Sequence, residues 1–209
     1  MSRFLVVFDV DSTLIQDEVI ELLAEEAGKR AEVAAITDAA MRGELDFAES
    51  LKARVATLGG LPESVIHATF DRVRLTPGAS QLIEHIHAIG GLVGAVSGGF
   101  AQILTPLAER LNLDFHLANQ LGVADGNLTG QVDGQIIDKN AKATALKLWA
   151  EQSGVSTANT IAVGDGANDL QMMSTAALGV AFNAKPVVRD QANLVAELVD
   201  LAELIPLFR

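Results

Sequence analysis

A short apolar run near the start of the chain predicts the first strand of a buried sheet. Residues 4–8 read Phe-Leu-Val-Val-Phe, and such an unbroken run is typical of a strand covered on both faces. Asp9 and Asp11 follow where this strand should end. Alternate strand residues point to the same side, so we expect the two carboxylates to lie together, at the edge where open α/β sheets bind ligands. A polar turn that caps the next helix would explain Asp11 and Ser12, but it leaves Asp9 unexplained.

The next part of the chain carries apolar residues at helical spacing. The four predicted helices span residues 19–27, 32–42, 47–58 and about 63–73, with glycine stops at Gly28, Gly43 and Gly59. Such a block is longer than one crossover between parallel strands usually needs. We therefore predict a helical cap domain, residues 15–74, inserted into a core made of residues 1–14 and 75–209. An ordinary α-rich crossover is the alternative.

Strand and helix patterns alternate through the rest of the chain. Predicted strands span residues 91–96, 115–118, 160–163 and 178–182, and predicted helices span residues 81–89, 100–111, 140–153 and 169–177. An Asp-Gly pair predicts a tight hairpin within residues 123–129, and a last strand and helix are expected in the tail. The whole predicts an α/β fold: a doubly wound, Rossmann-like parallel sheet with a helical cap inserted after the first strand and a small β-hairpin.

Composition narrows the classes of function. The chain has 209 residues, is 49% hydrophobic and lacks cysteine, so it can bury a large core without disulfides. Its formal net charge of −12 argues against a nucleic-acid partner. No apolar run approaches the roughly 18 residues needed to cross a membrane, and the early acidic residues are unlike a signal peptide. We expect a cytoplasmic protein with no nucleic-acid or membrane partner, and the sequence leaves its oligomeric state open.

The predicted strand that ends at residue 96 is followed by Ser97-Gly98-Gly99. This segment would offer a hydroxyl and approachable backbone N–H groups at a strand-to-helix turn. Helix N-termini attract anions through unpaired N–H groups and the helix dipole. Glycine-rich turns are also common without a ligand, so Ser97 and Gly98 are candidate phosphate-binding residues that need support from elsewhere in the chain.

A second predicted strand, residues 160–163, is followed by a denser group of polar residues: Asp165, Asn168 and Asp169. Asn168 or Asp169 could cap the next helix, but this leaves Asp165 unexplained. Lys142 lies near the start of another predicted helix, where a cation opposes the helix dipole. A solvated basic helix end is the alternative interpretation of Lys142.

Convergence of the aspartates would require a cation. Two unit charges about 4 Å apart repel by about 4 kcal/mol at an effective dielectric constant of about 20. A site shared by the four aspartates at the two strand ends therefore needs a counter-ion or bound protons. Oxygen ligands favour a hard ion, and Mg2+ also takes phosphate oxygens as ligands. With Lys142 and glycine N–H groups nearby, such a site would suit phosphoryl transfer to a carboxylate nucleophile.

These motifs, in this order, resemble those of the haloacid dehalogenase superfamily of phosphatases. The matching segments are residues 9–13, Ser97-Gly98-Gly99, Lys142 and the Gly-Asp-Gly-Ala-Asn-Asp run at residues 164–169. Within that superfamily the chain is most similar to the phosphoserine phosphatase group. Glu18 follows the first motif as in that group, and Met41, Phe47 and Arg54 occupy corresponding places in the predicted cap.

The resemblance implies an activity and a role for each motif residue. The activity would be Mg2+-dependent hydrolysis of O-phosphoserine, a small phosphomonoester, through an aspartyl-phosphate, at the last step of serine biosynthesis. Asp9 would be the nucleophile, and Asp11 would act as acid and base. The implied Mg2+ ligands are Asp9, the backbone carbonyl of Asp11, and Asp165, with Asp169 close by in support. The implied phosphate-binding residues are Ser97, Gly98, Lys142 and Asn168.

The resemblance also implies that cap residues bind the substrate. Arg54 would pair with the substrate carboxylate and Glu18 with its ammonium group. Met41 and Phe47 would exclude water from the closed site. From the sequence alone, helix packing is the favoured interpretation of Met41 and Phe47. Arg54 can be a surface charge of a helix, and Glu18 can be an acid in the first turn of a helix, where the dipole favours it. Two functions stay open as alternatives: a phosphatase or phosphotransferase for another small phosphomonoester such as phosphohomoserine, and a non-enzymatic receiver module phosphorylated on aspartate.

Overall fold

The computed structural model describes residues 4–42 and 44–208, with Met41 described by its backbone alone. The predicted helix end at Gly43 and the side chain of Met41 therefore lie outside the described residues. The strands are β1 (Leu5–Phe8), β2 (Leu92–Phe100), β3 (Phe115–Ala124), β4 (Asn127–Asp133), β5 (Thr160–Gly164), β6 (Leu178–Phe182) and β7 (Leu194–Ala196). The helices are α1 (Val19–Glu26), α2 (Arg30–Met41), α3 (Phe47–Ala56), α4 (Ser64–Phe70), α5 (Ala79–Ala88), α6 (Ala101–Leu111), α7 (Lys139–Gln152), α8 (Leu170–Thr175) and α9 (Pro186–Arg189).

The strands form one sheet in the order β4-β3-β2-β1-β5-β6-β7. Strand β1 lies at its centre and pairs in parallel with β2 on one side and with β5 on the other. Among the described strands, only the pairing of β3 with β4 is antiparallel. The strand order reverses between β1 and β5, and ligands bind outside the carboxyl ends of the strands at such a switch point. The prediction of a doubly wound α/β fold is confirmed.

Alternate residues of β1 belong to the two hydrophobic cores of the sheet. Val6 and Phe8 share one core with α5 and α6, whereas Leu5 and Val7 share the other with α7 and α8. All of these strand side chains are fully buried. A strand covered on both faces has no position for a polar residue, which explains the unbroken apolar run in the sequence.

Helices α1–α4 form a segment inserted between β1 and α5, which we call the inserted segment. The chain enters and leaves it side by side, because Ile15 and Leu75 form an antiparallel bridge. The Gln16 N–H donates to the Arg74 carbonyl at 2.9 Å, and the Arg74 guanidinium forms an ion pair with Asp17 at 2.5 Å. This pairing of single residues lies at the predicted boundaries of the cap, whose status as a separate domain stays a prediction.

The hairpin is longer than the sequence pattern predicted. The predicted short strand and hairpin form one continuous ladder, β3 and β4, which turns at Asp125 and Gly126, where φ is 50° and 74°. The loop after α3 pairs with this hairpin. The Gly60 N–H donates to the Leu128 carbonyl at 2.8 Å, and the Leu128 N–H donates to the Leu61 carbonyl at 2.8 Å. The inserted segment thus covers part of an otherwise open sheet edge.

Two other predicted elements differ from the structure in detail. The helix predicted to start at Asp169 begins one residue later, after a 3-10 turn over Ala167–Asp169. The helix expected in the tail is a 3-10 helix, Leu201–Leu207, that follows β7. None of the described helices has the length and apolar character needed to cross a membrane, and the cytoplasmic location stays a prediction.

Candidate active site

Two aspartates lie at the switch point of the sheet because β1 and β5 are neighbours. Phe8 of β1 is in register with Val163 of β5, so Asp9 and Asp165, which follow these strands closely, come together. The Asp9 N–H donates to the Val163 carbonyl at 2.8 Å. Each aspartate is only 4% exposed. Carboxylates are almost never buried to this extent unless they are paired.

Lys142 supplies a paired charge from the first turn of α7, whose N-terminus is capped by Asp138. The Lys142 Nζ donates to Asp9 Oδ1 at 2.6 Å and to Asp169 Oδ1 at 2.7 Å. The side chain of Lys142 is completely buried, whereas the neighbouring Lys139 is exposed. Lys142 is therefore not a solvated charge at a helix end. That description fits Lys139, which is exposed.

Asp169 uses both carboxylate oxygens to hold this cluster together. Its Oδ1 accepts from Lys142, and its Oδ2 accepts from the backbone N–H groups of Asp165 at 3.2 Å and Gly166 at 3.1 Å. A Cβ atom at Gly164 would lie 2.5 Å from Asp169 Cγ, so only glycine permits this approach. The carboxylate therefore fixes both the lysine and the loop that carries Asp165.

Asp11 reaches the cavity by a different route from the strand alternation that we predicted. Strand β1 ends at Phe8, and Asp11 lies in a tight turn that continues through Ser12, whose φ of 57° is left-handed. The Asp11 Oδ1 atom is buried and has no hydrogen-bond partner in the part of the chain that the structure describes. Asp9 and Asp11 thus line one cavity because of the turn geometry.

Ser97 and Gly98 lie in an irregular end of β2, and the prediction that a helix N-terminus presents them was wrong. Strand β2 continues to Phe100, with a shift of register against β3, and α6 begins only at Ala101. Both residues nevertheless line the cavity beside Asp9. The strand end, rather than the first turn of a helix, brings their polar groups to the site.

Three predicted cap residues, Glu18, Phe47 and Arg54, line the same cavity as Asp9 and Asp11. Arg54 is only 3% exposed, so it is not a surface charge, and Glu18 is half-buried and accepts a 2.6 Å hydrogen bond from the Ser12 hydroxyl. A Cβ atom at Gly98 would lie 2.6 Å from the Phe47 ring. The inserted segment and the end of β2 therefore meet in direct contact over the cavity.

Burial raises the pKa of the carboxyl groups around the cavity. Desolvation, followed by the charge of Asp169, raises the pKa of Asp9 to about 7, although Lys142 opposes the shift. Burial and then neighbouring carboxylates hold the pKa values of Asp11 and Asp165 well above their usual range. Desolvation would lower the pKa of Lys142, but the charges of Asp169 and Asp9 outweigh it and raise that pKa. The cluster needs more positive charge than one lysine supplies.

The donor set fits a divalent cation that prefers oxygen ligands. Carboxylate oxygens of Asp9, Asp165 and Asp169 lie within 4.8 Å of one another. Both oxygens of Asp169 are engaged, but within the described residues the buried Oδ1 atoms of Asp11 and Asn168 have no hydrogen-bond partner. Oxygen donors of this kind suit hard ions such as Mg2+. A divalent ion here would supply the positive charge that the carboxylates require.

We expect Mg2+ to stabilise the protein more at pH 8 than at pH 5.5. The pKa of Asp9 rises from 3.8 to about 7 on folding, so without metal the folded state binds protons more tightly than the unfolded state. This contribution to stability is complete below the unfolded pKa and is lost as the pH rises towards 7. Mg2+ would compensate for this loss. The rise in Tm on adding Mg2+ should therefore be larger at pH 8 than at pH 5.5, by at least roughly 2–4 °C.

Differential scanning calorimetry of chelator-treated protein, with and without MgCl2, measures this difference at each pH. NaCl at the same ionic strength controls for general screening of charge. An equal or smaller Mg2+ effect at pH 8 would contradict the interpretation of the carboxylates as a metal site.

Asn119 and Lys185 support the site, although no sequence pattern singled them out. Asn119 Nδ2 donates to the Gly98 carbonyl at 2.8 Å, and its Oδ1 accepts from the Ile137 N–H at 2.8 Å. Lys185 Nζ donates to Asp38 Oδ1 of α2 at 3.0 Å and joins the core to the inserted segment. The Asn119 partners lie 21 and 18 residues away, and the Lys185 partner lies 147 residues away. A local sequence pattern therefore carries no signal for them.

Comparison with known proteins agrees with this geometry. A family model for haloacid dehalogenase-like hydrolases matches residues 6–174. Phosphoserine phosphatase of Mycobacterium tuberculosis is 56% identical over 192 residues, which make up 92% of this chain and 47% of that relative. Phosphoserine phosphatase of Streptococcus thermophilus is 51% identical over 201 residues, 96% of this chain and 94% of that relative. A solved structure described as a phospho-aspartyl intermediate analogue of phosphoserine phosphatase superposes with a TM-score of 0.96 at 40% identity, over 99% of both chains.

The chain spans about half the length of the mycobacterial relative. A phosphoserine phosphatase of Streptomyces coelicolor is 58% identical over 90% of this chain, and the match covers 46% of that relative. The matched range of the family model includes β5 and all of β1 except Leu5, together with Lys142 and the loop from Gly164 to Asp169. The match therefore covers most of the chain and all of the clustered acidic residues described above. The chain belongs to the haloacid dehalogenase-like hydrolase family.

Proposed function

We propose that the chain is a Mg2+-dependent phosphoserine phosphatase, which hydrolyses O-phosphoserine to serine and phosphate and so performs the last step of serine biosynthesis. Relatives and a solved structure that match nearly the whole chain carry this name. The observation that carries the proposal is the set of charged side chains that line one cavity. Asp9, a buried carboxylate that accepts a hydrogen bond from Lys142, lines it together with the positive Arg54 and the negative Glu18. These two charges complement the carboxylate and the ammonium group of an amino acid.

Asp9 would be the nucleophile. Lys142 holds Oδ1 at 2.6 Å, so the other carboxylate oxygen, Oδ2, would be the atom that attacks. The new bond would form between Oδ2 and phosphorus while the bond from phosphorus to the serine oxygen breaks. The product of this step is an aspartyl-phosphate and free serine. Water then cleaves the aspartyl-phosphate and regenerates Asp9.

Asp11 would move the protons of both steps. It would protonate the serine oxygen as that group leaves and would then take a proton from the attacking water. A carboxyl group whose pKa burial holds well above the usual range can carry a proton at the start of the reaction. Its Oδ1 atom, which has no partner in the described part of the chain, is available for this transfer.

The remaining motif residues would bind the charge of the phosphoryl group. Bound Mg2+ would neutralise the phosphoryl oxygens and the aspartate carboxylates together. The proposed Mg2+ ligands are the side chains of Asp9 and Asp165 and the backbone carbonyl of Asp11, with Asp169 in support. The proposed phosphate-binding residues are Ser97, Gly98, Lys142 and Asn168. Fixed donors of this kind stabilise the transition state because they need no reorganisation during the reaction.

The inserted segment would act as the cap that selects the substrate. Arg54 would bind the carboxylate of the substrate, since a guanidinium matches a carboxylate with two parallel hydrogen bonds. Glu18 would bind the ammonium group. Phe47, which contacts the end of β2 over the cavity, would exclude water, and Met41 is proposed to do the same.

Replacing Arg54 with alanine tests the substrate assignment. We expect kcat/KM on O-phosphoserine to fall at least about 30-fold, or about 2 kcal/mol. O-Phosphoethanolamine keeps the phosphate ester and the amine but lacks the carboxylate, so its kcat/KM should change less than about threefold. Lys52→Ala, an exposed substitution on the same helix, is the control and should leave both substrates unaffected. Equal losses on the two substrates would contradict the role of Arg54.

A substrate panel at fixed Mg2+ concentration tests the proposed function itself. It should contain O-phosphoserine, phosphohomoserine and a sugar phosphate, with release of phosphate followed over many turnovers. We expect O-phosphoserine to have the highest kcat/KM. A higher value for another member of the panel would assign a different substrate. Release of a single phosphate per protein molecule would instead favour a receiver module.

A further inference from the structure

Two helices of the inserted segment hold the guanidinium group of Arg54 in place. Its Nε donates to the Ser50 carbonyl of α3 at 3.1 Å, and one terminal nitrogen donates to the Thr37 hydroxyl of α2 at 2.9 Å. The guanidinium is a rigid plane with five N–H donors, so two bonds to different nitrogens fix its orientation. The other three N–H donors have no hydrogen-bond partner within the described residues. Arg54 lines the cavity, so these donors are available to a ligand there.

The Thr37 hydroxyl is itself held in the orientation that Arg54 requires. It donates its only proton to the Val33 carbonyl, one turn earlier in α2, at 3.0 Å. A hydroxyl has one proton and two lone pairs, so this bond leaves the lone pairs to accept from Arg54. Thr37 is only 3% exposed, and water has little access to replace the hydroxyl if it is removed. The β-branched side chain also has few rotamers in a helix, which limits its movement.

We propose that Thr37 is a positioning residue for substrate selection: its hydroxyl orients Arg54 so that the free edge of the guanidinium meets the carboxylate of the substrate. This inference rests on the proposed function, since it assumes a substrate with a carboxylate. The second anchor, the Ser50 carbonyl, is a backbone group that persists when side chains change. Of the two groups that hold the guanidinium, only the Thr37 side chain can be altered by substitution, so residue 37 determines the orientation of the guanidinium.

The test compares Thr37→Val with Thr37→Ser. Valine keeps the shape of threonine and removes the acceptor, whereas serine keeps the acceptor. For Thr37→Val we expect KM on O-phosphoserine to rise about five- to tenfold, with kcat within about twofold of the wild type and kcat/KM on O-phosphoethanolamine unchanged. Thr37→Ser should restore most of the affinity. Thr69→Val is the matched control, because Thr69 is equally buried in the inserted segment but its hydroxyl has no partner among the described residues.

A measurement independent of turnover separates this inference from the proposed function. The Nε–H resonance of Arg54 in 15N-labelled protein should shift in Thr37→Val and stay unchanged in Thr69→Val. If the wild type does not hydrolyse O-phosphoserine but the resonance shifts as expected, the positioning of Arg54 stands and the substrate assignment fails. If the wild type hydrolyses O-phosphoserine and Thr37→Val does not raise KM, the inference is overturned. Equal losses on both substrates, or a Thr37→Ser variant as impaired as Thr37→Val, would also overturn it.

Discussion

Replacement of Asp9 with asparagine is expected to lower kcat on O-phosphoserine by at least roughly 10,000-fold, which corresponds to about 5 kcal/mol. Asparagine has nearly the same shape as aspartate, and its carbonyl can still accept the hydrogen bond from Lys142. It lacks the negative oxygen that would attack phosphorus, so the aspartyl-phosphate cannot form. The cavity around residue 9 should otherwise remain as it is, because Asp169 continues to pair with Lys142 at 2.7 Å.

Phosphate release under substrate saturation measures this effect, and acid quenching of the wild type should trap phosphate on Asp9. Asp71→Asn changes an exposed carboxyl at the end of α4 and serves as the control, with activity equal to the wild type. The variant at Asp9 should unfold cooperatively, which excludes loss of fold as the cause. A kcat within about tenfold of the wild-type value would mean that another group is the nucleophile.

Replacement of Lys142 with methionine should cost about 3–5 kcal/mol in the free energy of unfolding, as well as most of the activity. Methionine fills a similar volume but carries no charge. The ammonium group of Lys142 is fully buried between Asp9 and Asp169, so its removal leaves two carboxylates without a counter-charge. Lys139→Met, on the exposed side of the same helix, should change the stability by less than about 0.5 kcal/mol.

Urea unfolding of chelator-treated protein at two pH values checks both the size and the origin of this effect. The loss for Lys142→Met should be smaller at pH 5 than at pH 8, because the Asp9 carboxyl group binds a proton at the lower pH and then needs no counter-charge. The raised pKa of Asp9, about 7, already favours protonation there. Equal stabilities of Lys142→Met and Lys139→Met would mean that the buried ion pairs contribute nothing to the fold.

Much of the fold could be predicted from local patterns. The run at residues 4–8 identified the central strand, because a strand buried on both faces excludes polar residues. Helical spacing and glycines located α1 and α3 within a few residues of their ends. The Asp125-Gly126 turn was recognised because few residue pairs adopt left-handed backbone so readily. These signals depend on residues that are close together in the sequence, so they can be recognised without knowledge of the tertiary structure.

The errors arose where pairing between strands decided the local conformation. Strand β3 extends to Ala124 because β4 pairs with it, and β2 continues past Ser97 to Phe100 because β3 supports it. Asp11 was placed correctly in the cavity but for the wrong reason, since a left-handed residue at Ser12 rather than strand alternation turns the chain there. Strand partners distant in the sequence determine such features, so a window of neighbouring residues does not predict them.

The type of fold, the order of the motifs and the identity of the charged groups can all be inferred from the amino-acid sequence, because burial and helical or strand periodicity are local constraints on residue type. Which of these groups touch depends on how the distant parts of the chain pack together. Lys142 meets Asp9 across 133 residues of chain, and Thr37 meets Arg54 across 17. Both contacts exist because strand order and helix packing bring the groups together in the interior of the protein, where their side chains are buried. There, an unpaired charge or donor costs far more than in solution, so each group must have its partner.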